Sequence, residues 1–206
     1  MRRGLKREGK INMCAVELIK RGQRVDLTKG RNVKRVNVAL GWDTNRYNTG
    51  GDFDLDASVF LLNGNTRAEQ DTDFVFYNNL IHPSGAVQHT GDELTGSAEG
   101  DDETIKVDFT RMPANIEKLA FVVTIHDAVQ RRQNFGMVEN AYVRVDDADT
   151  GEQLLKFDLA EKFSSETAVE VAEIYKADGE WKFNAKGMGF TKGLSEFVMQ
   201  YGLGVK

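Results

Sequence analysis

The segment KLAFVVTIHD, residues 118–127, is apolar at every position but one from Leu119 to Ile125. A β-strand points alternate side chains to opposite faces of its sheet. This segment would therefore present apolar side chains on both faces, and both faces must then be covered by other parts of the protein. We expect residues 118–127 to form a central strand with a protein layer on each side.

Several other segments alternate between apolar and polar residues, which is typical of strands with one buried face. They are NVKRVNVALGW (32–42), DFVFYNN (73–79) and TIKVDFT (104–110). Turn signals such as Pro83-Ser84-Gly85 and Asp149-Thr150-Gly151 separate the segments, and Asp178-Gly179 predicts a tight hairpin. A turn about every ten residues favours an all-β antiparallel sandwich or barrel.

Helical periodicity is scarce in the chain. Residues 191–201 place Leu194, Phe197, Val198 and Tyr201 at helical spacing, and Gly202 can end the helix. A second short helix is predicted within residues 128–140. We therefore expect one or two short helices beside the strands, one of them near the C-terminus.

The chain has 206 residues and shows no linker or repeat, which predicts a single domain over residues 13–206. Residues 1–12 are basic and poor in apolar residues, so we expect a disordered arm or an upstream extension before Met13. No apolar run approaches the ~20 residues of a membrane span. With Cys14 as the single cysteine, no internal disulfide can form, and a cytoplasmic location is expected.

Charge is distributed unevenly along the chain. Residues 1–48 carry thirteen Lys/Arg against four acids, whereas residues 52–103 carry one base, Arg67, against twelve acids. Such an acidic stretch is either a solvated surface or a site for hard cations, which take oxygen ligands. Nucleic-acid binding through the basic third is disfavoured because those bases are scattered along predicted strands in an acidic chain.

Three aspartates, Asp52, Asp54 and Asp56, alternate within GGDFDLDASVFLLN (50–63), which otherwise reads as a strand. Alternation places them on one face, about 7 Å apart, where unit charges repel by roughly 2 kcal/mol at an effective dielectric of 20. A bound cation would offset that repulsion. The stretch is not a helix–loop–helix calcium loop, because Ala57 and Asn63 stand where glycine and glutamate are required.

Further oxygen ligands stand at the ends of other predicted strands. Strand ends of a sandwich gather at two rims, so these residues can converge with the three aspartates. They are Asp43, Asn78, Asp92, Asp101, Asp102, Glu103 and Asp127. Ca²⁺ suits such a set because it accepts six to eight oxygens in loose geometry.

Zinc is disfavoured, because the spacing of His82, His89 and His126 matches no zinc pattern. We expect His82 and His89 at the surface and His126 half-buried at a strand end. The alternative function is a metal-dependent hydrolase that uses the same acids. Against an enzyme, the chain has neither a GxSxG elbow nor a GxxxxGK[ST] phosphate loop.

Eight segments of the chain form a recognisable set. They are GWD (41–43), GDFDLDAS (51–58), DFVFYNN (73–79), HTGDELTG (89–96), EGDDE (99–103), FVVTIHDA (121–128), QNFG (133–136) and GEWKF (179–183). Together they resemble the TerD family of bacterial tellurite-resistance and stress-response proteins over residues 15–206.

The resemblance implies a TerD-type β-sandwich that binds Ca²⁺, as two ions, through the ten residues named above. It also implies a setting in resistance to tellurite, phage and chemical stress, but it implies no reaction. Within that setting we expect a binding or scaffold role, because an acidic cluster alone suits structural calcium better than catalysis. The implied partners are other proteins of the tellurite-resistance system, including a TerC-type membrane protein. The implied location is the cytoplasm or the inner face of the membrane. Tellurite is an oxyanion, so the acidic region would repel it.

Overall fold

In the computed structural model, two six-stranded sheets pack face to face, and the all-β sandwich that the sequence predicts is confirmed. The structure describes residues 17–44, 54–91, 101–159 and 163–204. Sheet A contains, in spatial order, β1 (Glu17–Ile19), β10 (Gln153–Asp158), β9 (Val138–Asp147), β3 (Arg35–Thr44), β7 (Glu103–Asp108) and β6 (Val87–His89). Sheet B contains β2 (Arg24–Asp26), β12 (Glu180–Phe190), β11 (Ala168–Ala177), β8 (Lys118–Ile125), β4 (Leu55–Leu62) and β5 (Phe74–Val75). Among the pairings between these strands, only β1 with β10 is parallel.

Strand β8 is buried on both faces, as its sequence predicts. Leu119, Phe121 and Val123 point into the main core between the sheets. Ala120 and Val122 point the other way, into a second apolar cluster beneath helix α2 (Leu194–Gln200). The helix is therefore a third layer on the outer face of sheet B.

The predicted C-terminal helix is confirmed, with narrower bounds than residues 191–201. Phe197 and Tyr201 are fully or almost fully buried, and the Phe60 ring lies 5.0 Å from the Tyr201 ring. Gly202, at φ 89°, follows Tyr201 in a conformation that favours glycine. The amphipathic pattern predicted this helix correctly because one face of the helix packs on an apolar sheet.

The predicted hairpin at Asp178-Gly179 is also confirmed, since it joins β11 to β12. Both residues have positive φ, 55° and 80°, as a type I′ turn requires. The strand expected over residues 73–79 is mostly wrong. It ends at Val75 because Phe76 and Asn79 bond to each other's backbone in a tight turn.

The second predicted helix is shorter than the 128–140 interval. Helix α1 (Ala128–Arg131) is a single turn, and a 3₁₀ turn follows at Phe135–Met137. Two further 3₁₀ turns lie at Asp71–Asp73 and Phe109–Arg111. Within the described ranges, no helix has the length and apolar character to cross a membrane.

Candidate functional site

One rim of the sandwich collects acids from four strand ends. Strand β4 starts opposite the end of β8, through the pair Leu55 and Ile125. Strand β7 starts opposite Leu40 of β3, through the pair Glu103 and Leu40, and β3 continues past this pair to Thr44. The Ala57 N–H of sheet B donates to Glu103 Oε2 of sheet A, which joins the two sheets there. We call this end the acidic rim; the predicted ligands that the structure describes there are Asp43, Asp54, Asp56, Asp101, Asp102, Glu103 and Asp127.

The other predicted ligands are placed differently. Asp52 and Asp92 lie outside the described residues, in segments 45–53 and 92–100. Both segments connect strand ends at the acidic rim, namely β3 to β4 and β6 to β7. Asn78 is exposed in the turn after β5. Since β5 runs antiparallel to β4, this turn lies toward the acidic-rim end of sheet B.

On the sheet B side, Asp54 and Asp56 flank the first residue of β4. The Asp54 Oδ2 atom lies 3.7 Å from Arg131 Nη2 of helix α1. Its Oδ1 atom is buried and accepts no hydrogen bond within the described part of the chain. Asp56 Oδ2 lies 3.7 Å from His126 Nδ1, at a half-exposed imidazole. These separations are longer than a charge-assisted hydrogen bond of about 2.7–2.9 Å, so a closer cation could replace them.

Asp127 follows His126 in the left-handed conformation, at φ 52°. Its Oδ2 atom lies 3.6 Å from His126 Nε2, and its side chain is half exposed. The imidazole of His126 therefore stands between two carboxylates, those of Asp56 and Asp127. The prediction of a half-buried histidine at this strand end agrees with its 41% exposed side chain.

On the sheet A side, the run Asp101-Asp102-Glu103 is divided among three environments. Asp101 lies on the outer face of sheet A, where it accepts from Tyr142 Oη at 2.8 Å and pairs with Arg144 Nη2 at 2.6 Å. The Tyr142 ring lies over Gly41, where any larger side chain would clash with it. Both Asp101 oxygens are thus engaged by the protein.

The carboxylate of Asp102 is 7% exposed and binds the backbone where β3 and β7 part. Its Oδ2 accepts from the Trp42 N–H at 2.8 Å, and its own N–H donates to the Leu40 carbonyl at 2.9 Å. Asp43, one residue after Trp42, is exposed and accepts from Asn140 Nδ2 at 2.7 Å. Asp102 therefore acts as a backbone cap in this structure.

Glu103 points between the two sheets and is 2% exposed. Strand β5 pairs with β4 only at Val59 and Phe60, so the Ala57 N–H remains available for the Glu103 carboxylate. His89 Nε2 lies 3.5 Å from Glu103 Oε2. The Gly91 N–H donates to His89 Nδ1, which places the ring proton on Nε2, toward the carboxylate. Burial raises the pKa of Glu103 to about 7, although the His89 and Ala57 contacts oppose this shift.

The prediction that His82 and His89 lie at the surface is wrong, because they are 3% and 2% exposed. His82 Nε2 lies 3.2 Å from Asp73 Oδ1, and His82 Nδ1 lies 2.8 Å from Ser84 Oγ. The Ser84 N–H also donates to His82 Nδ1, so the group stabilises the turn at residues 82–86. The burial of His89 could have been predicted from the alternation Val87-Gln88-His89, because Val87 and His89 share the buried face of the strand.

The fit of this rim to a Ca²⁺ ion is partial. The unpartnered buried oxygen of Asp54 is the kind of atom that a cation satisfies. Yet in the described ranges no three His, Cys, Asp or Glu side chains are close enough to hold a metal ion. Asp54 and Asp56 would therefore need oxygens from elsewhere, and Asp52 and Asp92 belong to the segments that join these strand ends.

Comparisons with known proteins all indicate the same family. The TerD domain model matches residues 15–201. The chain is 53% identical over 186 residues to general stress protein 16U of Bacillus subtilis, covering 90% of this chain and 96% of that protein. It is 57% identical over 192 residues to the uncharacterized protein YceE of the same organism, covering 93% of this chain and 100% of YceE.

Two further proteins extend the comparison: one is named for tellurium resistance, and the other has a solved structure. The tellurium resistance protein TerD of Serratia marcescens is 46% identical over 186 residues, covering 90% of this chain and 96% of that protein. A crystal structure of a homologue of the telluride resistance protein TerD, from Streptomyces coelicolor A3(2), superposes with a TM-score of 0.64 at 26% identity, covering 81% of this chain and 95% of that one. General stress protein 16U and the Serratia TerD protein are named as stress and resistance proteins, and neither name denotes an enzyme. On its sequence match and its fold alike, the chain belongs to the TerD family.

Proposed function

We propose that this protein is a calcium-binding stress-response protein that acts as a binding or scaffold module in tellurite, phage and chemical-stress resistance. Family membership and the names of its relatives support the setting. The buried Asp54 Oδ1 atom, which accepts no hydrogen bond in the described ranges, carries the metal assignment. It lies beside Asp56, at the rim where segments 45–53 and 92–100 connect strand ends.

The proposed site would draw its first ligands from Asp54 and Asp56. Asp101, Asp102 and Glu103 are engaged by Arg144, the Trp42 N–H and the Ala57 N–H. Their contribution to the site is therefore to fix the strand ends, and their negative charges also favour cation entry. Two Ca²⁺ ions are proposed for the rim as a whole. A hard divalent cation would supply charge neutralisation there and would hold segments of the rim together.

Binding, and not hydrolysis, is the proposed role. The carboxylates on the sheet A side are held by protein donors and are not available as general bases in this arrangement. Proposed partners are other proteins of the tellurite-resistance system, including a TerC-type membrane protein. That partner would place this protein in the cytoplasm, at the inner face of the membrane.

The test is calorimetric calcium titration of chelator-stripped protein. We expect saturable binding, weaker binding of Mg²⁺ because fixed strand spacing opposes a tight octahedron, and loss of affinity in D54N. The matched control is D178N, at the hairpin of the opposite rim, where asparagine suits the left-handed turn residue. No calcium heat, or equal affinities in D54N and D178N, would refute the site.

A further inference from the structure

The outer face of sheet A carries a groove that lies apart from the acidic rim. Its volume is about 340 Å³, and its polar lining comes from Arg35, Asn37, Gln88, Lys106 and Asp108. Arg35 opens β3 and Asp108 ends β7, so the groove lies toward the opposite rim. Helix α2 covers the outer face of sheet B, whereas no helix within the described ranges covers this face.

Three polar side chains form a row across the groove. Asn37 of β3 pairs with Lys106 of β7, and Lys106 pairs in turn with Gln88 of β6. Directly paired side chains stand about 5 Å apart on one face of a sheet. Their sequence neighbours, such as Val36 and Val107, point into the core, so the row points outward. An amide, an ammonium group and a second amide therefore line the groove in sequence.

Asn37 contributes an unsatisfied acceptor to this row. Its Oδ1 atom is buried and accepts no hydrogen bond from the described residues. Buried polar atoms are almost always paired, because desolvation without a partner destabilises the fold. Neighbouring atoms cover this oxygen in the structure, so a donor on a ligand in the groove would reach it after the Asn37 amide rotates toward the groove.

Lys106 supplies positive charge to the same row. The described ion pairs of this face join Arg35 to Asp149, Arg144 to Asp101 and Asp146, and Lys156 to Asp158, and none of them involves Lys106. Arg35 keeps further N–H donors beyond the one that binds Asp149. Asp108 is occupied as a turn cap, since its Oδ1 accepts from the Thr110 N–H at 2.9 Å. Its negative charge limits the groove to ligands of low charge.

We propose that this groove binds a small oxyanion that retains a proton, of the hydrogen phosphate class. The anionic oxygens would accept from Lys106, Arg35 and the Gln88 amide. The hydroxyl of the ion would donate to Asn37 Oδ1. A fully deprotonated oxyanion such as sulfate offers acceptors only, so Asn37 selects for the protonated ion. The proposal uses no residue of the acidic rim and is independent of calcium binding.

The test compares inorganic phosphate with sulfate, in an oxyanion-free buffer below the second pKa of phosphate. Side-chain amide resonances of Asn37 and Gln88 report binding by NMR, and calorimetry gives affinities. We expect saturable phosphate binding and sulfate binding weaker by about fivefold, the worth of one hydrogen bond. K106Q should weaken both ions. N37A should abolish the preference for phosphate, and it should raise the melting temperature of the ligand-free protein because a buried unpaired acceptor is removed.

The matched control is K156Q, which removes a lysine from the same sheet face outside the groove, where Lys156 pairs with Asp158. K156Q should bind both ions as the unmodified chain does. Equal losses in K106Q and K156Q would show general charge screening and would overturn the site. If N37A still preferred phosphate over sulfate, the inference that the bound oxyanion carries a proton would be wrong. Absence of saturable phosphate binding would overturn the proposal.

Discussion

Two acidic stretches meet at the same rim, and they differ in what holds their carboxylates. In Asp101–Glu103, an arginine and a tyrosine bind the first residue, and backbone N–H groups bind the other two. In Asp54–Asp56, the described ion pairs are 3.7 Å long, and one oxygen of Asp54 is buried without a donor. Each residue of the first stretch therefore has a close protein donor, whereas the described ion pairs of the second stretch are longer, and the proposed cation site lies at the second stretch.

The difference shows that residue type and spacing do not assign a role to an acid. Both stretches matched the same expectation of oxygen ligands at strand ends. The orientation of each strand start then divided them, because Glu103 faces the interior whereas Asp56 faces outward from β4. The following variants test the division, from the largest expected effect to the smallest.

The largest effect is expected for E103Q as a function of pH. Burial raises the pKa of Glu103 to about 7, so the folded state retains a proton that the unfolded state releases above about pH 4.5. The native protein should therefore lose stability as pH rises from about 4.5 to 7, by about 3 kcal/mol. The glutamine of E103Q cannot ionise. The stability of E103Q relative to the native chain should therefore increase as pH rises through that interval, and the difference should stay constant at higher pH.

Thermal melts from acid to mildly alkaline pH, in the presence of chelator, check this expectation. Glu170, on strand β11 of sheet B, is a positive control because burial also raises its pKa to about 7. E170Q should show a gain of the same sign over the same pH interval. A difference between E103Q and native protein that does not vary with pH would contradict the interior role of Glu103.

The second-largest effect is expected when carboxylates of the two stretches are changed to amides, and it concerns the stabilisation of the fold by calcium. An ion at a hundredfold excess over its Kd stabilises the folded state by about 2.7 kcal/mol, or roughly 5–10 °C in melting temperature for a chain of this size. D54N and D56N should shrink that shift while apo stability holds or rises, because each removes a repelling charge. D101N should keep the full shift and lower apo stability through loss of the Arg144 pair. An equal shift in all three variants would erase the distinction between the stretches.

A smaller effect is expected when the arginines of the two stretches are removed. Arg131 approaches Asp54 at 3.7 Å and is a competing cation, so R131Q should raise calcium affinity about two- to fivefold, consistent with an exposed ion pair worth at most about 1 kcal/mol. R144Q, which frees Asp101, should lower melting temperature without raising that affinity. Calorimetric calcium titration of both variants measures these affinities. A larger gain in calcium affinity in R144Q than in R131Q would place the calcium site at Asp101.

The smallest effect is expected from deletion of residues 1–12, which lie outside the described ranges. Their composition offers little apolar surface for docking. The shortened protein should match the full chain in melting temperature and calcium affinity. A drop of several degrees would instead assign these residues a structural role, which differential scanning calorimetry would detect.

The elements that the sequence predicted correctly are those whose signal is local. β8 is apolar on both faces, Asp178-Gly179 fits one turn type, and α2 has one apolar face. The rim was harder to predict because its contacts are distant in sequence. Tyr142 and Arg144 reach Asp101 only after β9 pairs with β3. The burial of His89 and Glu103 was readable from their alternation with Val87 and Ile105, but the identity of their partners was not.

The outermost strands add a consequence for how the polypeptide is made. β1 closes one sheet against β10, and β2 closes the other against β12. During translation β1 and β2 leave the ribosome before β10 and β12, which are synthesised more than a hundred residues later. Pairing between such distant segments slows folding, and an edge strand without its partner is open to other chains. In the nascent protein, β1 and β2 therefore stay without their sheet partners until β10 and β12 have been made.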